Sequence, residues 1–232
     1  MFGSVRAVLF LLVGSLVCAQ TQPAVLGADA GVEAQAGDSA LPVVTFTLDF
    51  PQSQPEHYSI RVPAGGAAHY RSTGRISRAS DDIDTFEFDF ALSGGARDKI
   101  FRLAADAGHF QRDLDSHRKN LAFTGKKTLA YKDDRVSAEA SFNYAGDAAA
   151  RELTEMFQNL STTLEFGRRL VYDHRYQKLA LDEELKLMQQ AAQDKTLVEV
   201  AAIQPILEKI VADHSVVNVA RARAQQLLGS AR

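Results

Sequence analysis

Apolar and polar residues alternate one by one through much of residues 43–92, whereas from residue 147 onward apolar residues recur every third or fourth position. The first rhythm places successive side chains on opposite faces of a strand, and the second lines one face of a helix. Val44, Phe46, Leu48 and Phe50 fall on one side of a strand starting at Val43, with Thr45, Thr47 and Asp49 on the other. Tyr58, Ile60 and Val62 repeat the pattern between Pro55 and the turn residues Pro63, Ala64, Gly65 and Gly66. A weaker third strand is expected over residues 69–76. The clearest spans 85–92, with Phe86, Phe88, Phe90 and Leu92 inward, Glu87 and Asp89 outward, and Gly94-Gly95 ending it.

Residues 96–119 switch to helical spacing, with Ile100, Leu103, Ala107, Phe110 and Leu114 as the apolar stripe. Leu121 and Phe123 are expected to resume the sheet, with Gly125 allowing a bend. Leu129 and Tyr131 then pair with Ala138, Ala140, Phe142 and Tyr144 in a hairpin turned by Asp133-Asp134. Beyond Asp147, a natural N-cap, the chain reads as helices. The first carries Leu153, Phe157, Leu160 and Leu164, with Gly167 as a weak point, and the second has Asp182, Glu183 and Glu184 in its first turn. Thr196 and Glu199 have capping-box spacing for a third helix that Pro205 kinks or restarts. A fourth covers about residues 216–228 and is closed by Gly229.

The fold class is therefore α+β: an antiparallel sheet with one packed helix over residues 42–145, followed by an all-helical C-terminal lobe over 146–232. Aromatic residues divide the same way, 13 in the first stretch and 4 in the second. Sheet cores favour aromatic side chains and helix pairs favour Leu and Ala.

The N-terminus changes the picture of where this architecture works. Arg6, an apolar run over residues 7–17 and the small residue Ala19 follow the order of a secretory signal peptide cleaved after residue 19. The run is shorter than the roughly 20 residues a bilayer span requires, so no membrane span is expected after cleavage. An uncleaved anchor and a lipid anchor at Cys18 are the alternatives. Ser15 and Val17 occupy the places where a lipobox carries Leu and a small residue. Cys18 is the sole cysteine, so cleavage after Ala19 leaves no thiol for a disulfide or a metal. Residues 20–41 lack aromatics and periodicity, and read as a disordered spacer. Net charge is −3, and no basic field accompanies it, which argues against nucleic acid as a partner.

Two resemblances attach to particular residues. Asp213, Val219, Arg221, Ala224 and Leu228, within residues 205–228, occupy the places they hold in a HEAT-type helix pair, which this stretch resembles. Such a pair implies a scaffold or contact surface and brings no chemistry, and one copy is not an array. Residues 124–131, residues 168–185 and the tail are similar to exported bacterial proteins of unknown function, which implies a place in a bacterial envelope.

Several groups of residues have the composition of a site. Thr124-Gly-Lys-Lys-Thr echoes the end of a P-loop, but Asn120 stands where the phosphate cradle needs glycine, so Lys126 and Lys127 are expected to face solvent. His109, Asp113 and His117 have metal-ligand spacing on one helical face, without a fourth ligand. Asp81, Asp82 and Asp84 cluster before the strongest strand but lack an EF-hand pattern. Arg168, Arg169, Arg175 and Lys178 lie among Tyr172, His174 and Tyr176, a basic-aromatic mix neutralised by nearby acids. Asn159 heads a glycosylation sequon within a predicted helix. No nucleophile-elbow or zincin motif occurs. No residue is assigned as catalytic, cofactor-binding or metal-binding, and no cofactor is expected. The expected function is a non-enzymatic binding or scaffold module of the envelope with a protein partner, and the alternative is an envelope-directed hydrolase using Asp82 and Asp84. The sequence does not specify an oligomeric state.

Overall fold

A computed structural model of the chain describes residues 41–51, 53–75 and 81–230; the segment expected to be a signal peptide, Cys18 and nearly all of the expected spacer lie outside them. Among the described residues, six strands form one antiparallel sheet in the order β4-β3-β2-β1-β5-β6. They are β1 (Val43–Asp49), β2 (His57–Pro63), β3 (Ala68–Arg75), β4 (Ile83–Phe90), β5 (Lys126–Lys132) and β6 (Ser137–Phe142). The helices are α1 (Gly94–Asp106), α2 (Ala148–Tyr176), α3 (Leu181–Gln193), α4 (Gln204–Ala212) and α5 (Asn218–Ser230). This is the α+β class that the two rhythms predict.

Period-two alternation builds the inner face. Val44, Phe46 and Leu48 of β1 are buried beside Tyr58, Ile60 and Val62 of β2 and Leu129 and Tyr131 of β5. β1 sits between β2 and β5, so its apolar side chains are covered from both flanks. α2 lies against this face, with the Phe157 ring stacked on Phe46 at 5.3 Å. Each fully buried side chain of this size contributes about 1.5–3 kcal/mol. α3, α4 and α5 pack behind α2 and on one another. One continuous core runs from β1 to Leu227, and the described residues belong to a single compact unit. The change of rhythm near residue 146 is thus a change of secondary structure over a shared core.

Several local expectations are corrected. The first helix stops at Asp106 rather than continuing to residue 119. Gly108, His109 and Phe110 all take positive φ, which breaks the helical path, although Phe110 and Leu114 stay buried as the apolar stripe requires. Leu121 and Phe123 form no strand and are exposed. The bend at Gly125 is real, with φ +96°, and a Cβ there would lie 2.7 Å from Cβ of Phe50, so only glycine lets β5 start so close to the end of β1. Gly167 is no weak point: α2 runs through it, and the missing side chain admits Ile203, whose Cγ2 would stand 2.8 Å from a Cβ.

Thr196 and Glu199 form no capping box either. Glu199 adopts a left-handed backbone, and its carboxylate accepts from the backbone N–H and the hydroxyl of Ser93, each at 2.8 Å. Ser93 is the N-cap of α1 and itself accepts from Ala96 N. An acid expected to cap its own helix therefore supports the cap of another, 106 residues away. Pro205 sits in the first turn of α4, where its missing N–H costs nothing, and so restarts the chain as a helix. Asp147 caps α2 as expected, accepting from Ala150 N at 3.0 Å. α5 passes through Gly229 to Ser230 rather than closing there.

Candidate functional site

The inward positions of β2 and β3 are not all apolar. Tyr58, Tyr70 and Ser72 alternate on the covered face, and α2 brings Ser161, Glu165, Arg168 and Arg169 over them at helical spacing. Glu165 Oε1 accepts from the Tyr70 hydroxyl at 2.9 Å and from Ser72 Oγ at 2.6 Å. Its Oε2 accepts from Arg168 Nε at 2.9 Å, with Arg169 Nη1 at 3.9 Å. Ser161 Oγ shares a 3.1 Å hydrogen bond with Tyr70. Arg168 also donates to the Gly74 and Arg75 carbonyls at the end of β3. Arg169 reaches sideways to Glu184 of α3 at 2.5 Å and lies over the Phe166 ring.

Burial sets the electrostatics. Removal from water pushes the Tyr58 and Tyr70 phenols well above the ordinary tyrosine range, and the charge of Glu165 pushes them further. Both therefore stay neutral donors. A carboxylate that accepts two hydroxyls and a guanidinium is committed to holding strand and helix together.

Beside this knot opens a cleft of about 610 Å³. The loop after β1 supplies Ser53, Gln54 and Pro55, the end of β3 supplies Arg75, and α2 supplies Gln158, Ser161, Thr162, Glu165, Arg168 and Arg169. Three guanidinium groups face one carboxylate in this lining. Arg75 is half exposed and also pairs with Asp81 at 3.2 Å. Such a lining offers N–H and O–H donors in excess of acceptors, which suits an anionic, oxygen-rich guest.

The residues singled out in the sequence scatter across the fold. Lys126 is exposed, but Lys127 corrects the expectation of a solvent-facing pair. It shares the inward register of Leu129 and Tyr131, and its ammonium donates to the carbonyls of Thr124 and Asn143 and to the Thr124 hydroxyl, at 2.9–3.1 Å. Burial lowers its pKa. His109 packs against the Tyr131 ring at 4.3 Å, apart from the pair formed by Asp113 and His117 at 2.6 Å. The helix that was to align all three has ended by then. The Asp115 backbone N–H first, and His117 second, hold the Asp113 carboxyl low, while Asp113 raises the His117 pKa. Among the described residues, no group of three His, Cys, Asp or Glu is arranged to hold a metal ion. Asp81, Asp82 and Asp84 are exposed at the start of β4, outside the cleft lining. Asn159 is half buried on α2.

The basic-aromatic segment divides. Arg168 and Arg169 enter the buried knot, and Arg175 lies over Tyr176. His174 and Lys178 bond the Asp213 carboxylate at 2.8 and 2.6 Å. Asp213 also accepts from Ser215, in the turn between α4 and α5. Lys178 first, and then Ser215, hold its carboxyl far below the ordinary range. The helix pair over residues 204–230 is thus tied to the end of α2. Among the described residues, no helix is long and apolar enough to cross a membrane.

The polar positions that build the cleft were not singled out together from the sequence. Their signal was present but diffuse: Ser72 at an inward strand position, and Ser161, Glu165 and Arg168 along an otherwise apolar helix. No family model matches this sequence, and no curated protein matches it.

Proposed function

We propose that this chain is an exported, non-enzymatic binding protein of the cell envelope, and that its cleft takes a small molecule bearing a carboxylate or a comparable oxyanion. The observation that carries the reading is the lining itself: Arg75, Arg168 and Arg169 border a cavity of about 610 Å³ with Glu165 as its one carboxylate among the described residues, while Asp81 and Glu184, which pair with Arg75 and Arg169, lie outside that lining. That volume is within the range of small-molecule sites. Glu165 is already engaged by Tyr70, Ser72 and Arg168, which favours positioning over proton transfer. Support for export comes from Arg6, the apolar run over residues 7–17 and Ala19.

Calorimetric titration with citrate and glucuronate, and with uncharged sugars as controls, tests the anion. The carboxylates are expected to saturate one site, and Arg75→Gln to weaken them about tenfold, the loss of one charge-assisted pair. Saturable binding of the uncharged sugars alone overturns the anionic guest, and no binding in any arm overturns the site. Mass spectrometry of the mature chain tests export, with an N-terminus at Gln20 as the expected result.

A further inference from the structure

β4 is an outermost strand of the sheet among the described residues, with β3 on one side. Its two faces differ sharply. Phe86, Phe88 and Phe90 form a stacked row at 5.9 and 6.3 Å on the core side. Phe90 is buried, but Phe86 and Phe88 are only half covered. Thr85, Glu87 and Asp89 occupy the opposite face. Glu87 meets Arg71 of β3 at 3.3 Å, and Asp89 meets His69 at 2.8 Å. Both partners belong to β3, and the Glu87 side chain stays 53% exposed and that of Asp89 74% exposed.

An outermost strand with a free backbone edge is a template for one more strand. The charge pattern says which strand it accepts. A second copy of β4 laid antiparallel would set Glu87 and Asp89 beside their own kind, and like charges across a strand pair are unfavourable. A strand with basic side chains at alternate positions would give each acid a further basic partner. Apolar residues between those positions would extend the half-covered row of Phe86 and Phe88.

We propose that the β4 edge is a docking site for an extended segment of a partner protein, in which basic and apolar residues alternate. Main-chain pairing along β4 supplies the affinity, Glu87 and Asp89 select the basic positions, and Phe86 and Phe88 take the apolar ones.

The test uses a fluorescent peptide of about eight residues, the length of an ordinary strand, alternating Lys and Val, titrated into the whole protein. Three comparisons accompany it: the same composition with its Lys and Val in separate blocks, the alternating peptide with every second amide N-methylated, and the Glu87→Gln, Asp89→Asn double variant. These two side chains are exposed, so the variant is expected to keep the wild-type circular dichroism. Saturable binding that falls about tenfold or more in each comparison, the scale of one lost charged contact or paired edge, supports the proposal. Equal binding of the block peptide, undiminished binding of the N-methylated one, or no saturable binding overturns it. So does a concentration-dependent dimer in sedimentation that the double variant tightens, since β4 would then be occupied by a second copy whose like charges the substitutions remove.

Discussion

Glu165 and Asp213 do the same job in two different media. Each carboxylate accepts from several donors, and each ties elements far apart in the chain: Glu165 joins α2 to β3, and Asp213 joins the α4–α5 turn to the end of α2. Glu165 is buried in its knot with Arg168, whereas Asp213 stands in a turn partly open to water. Counting hydrogen bonds would rank Asp213, with four, above Glu165, with three, but the cost of leaving a partner unpaired reverses that order. Water takes over the donors of Lys178 and His174 if Asp213 is removed. If Glu165 is removed, Arg168 keeps the Gly74 and Arg75 carbonyls but loses its charged partner at a buried position. Burial decides which knot the fold depends on.

The largest separation is expected from truncation. Glu165→Ala leaves a buried guanidinium uncompensated and is expected to cost about 3–5 kcal/mol in urea unfolding, while Asp213→Ala shifts the midpoint no further than ordinary surface substitutions. Equal midpoints for the two variants would break the comparison. Phe157→Ala provides a purely apolar reference, with an expected loss of about 3–5 kcal/mol from the stack on Phe46.

A smaller effect distinguishes the knots by pH. The raised pKa of Tyr70 means that the native state holds the phenol neutral. This contribution is intact below the ordinary tyrosine value near 10 and is lost as pH rises above it. Tyr70→Phe is expected to cost about 1 kcal/mol at neutral pH and to flatten the alkaline limb of the stability profile. For Asp213 the sign reverses, because its folded pKa is depressed. Its contribution is intact above about pH 4, the ordinary carboxyl value, and is lost as pH falls below it. Asp213→Asn therefore flattens the acid limb and leaves the alkaline limb unchanged, as chemical denaturation across pH would read.

The smallest and sharpest difference is in salt. A double-mutant cycle on Asp213 and Lys178 should lose its coupling as salt is raised toward about 1 M, where screening acts within a few ångströms. The Glu165–Arg168 cycle should hold. A coupling that fades equally in both pairs would mean that the buried knot is open to solvent.

Much of the architecture was legible in residues 43–62, 85–92, 129–142 and 147–193, because each side chain's face follows from local backbone geometry. The failures share a cause. Residues 108–123 keep apolar residues at helical spacing, so Phe110 and Leu114 are buried as predicted, but positive φ angles at Gly108, His109 and Phe110 divert the chain from the helix that would have presented them. Thr196 and Glu199 satisfied a local capping pattern, and Ser93, remote in sequence, took Glu199 instead. Lys127 looked like a surface lysine until the alternation of β5 placed it inward with Leu129 and Tyr131. The cleft was the least legible part, since its polar residues are sparse on any single element.

The sequence by itself determined which side chains share a face, and hence a sheet covered by helices, because those periodicities belong to individual strands and helices. Only the tertiary structure decided that Glu165 meets Tyr70 and Ser72, more than 90 residues away, and that a cleft edged with arginine opens beside them. The reason is physical. A polar group on a helix face has no preferred partner until packing removes the water that would otherwise serve it.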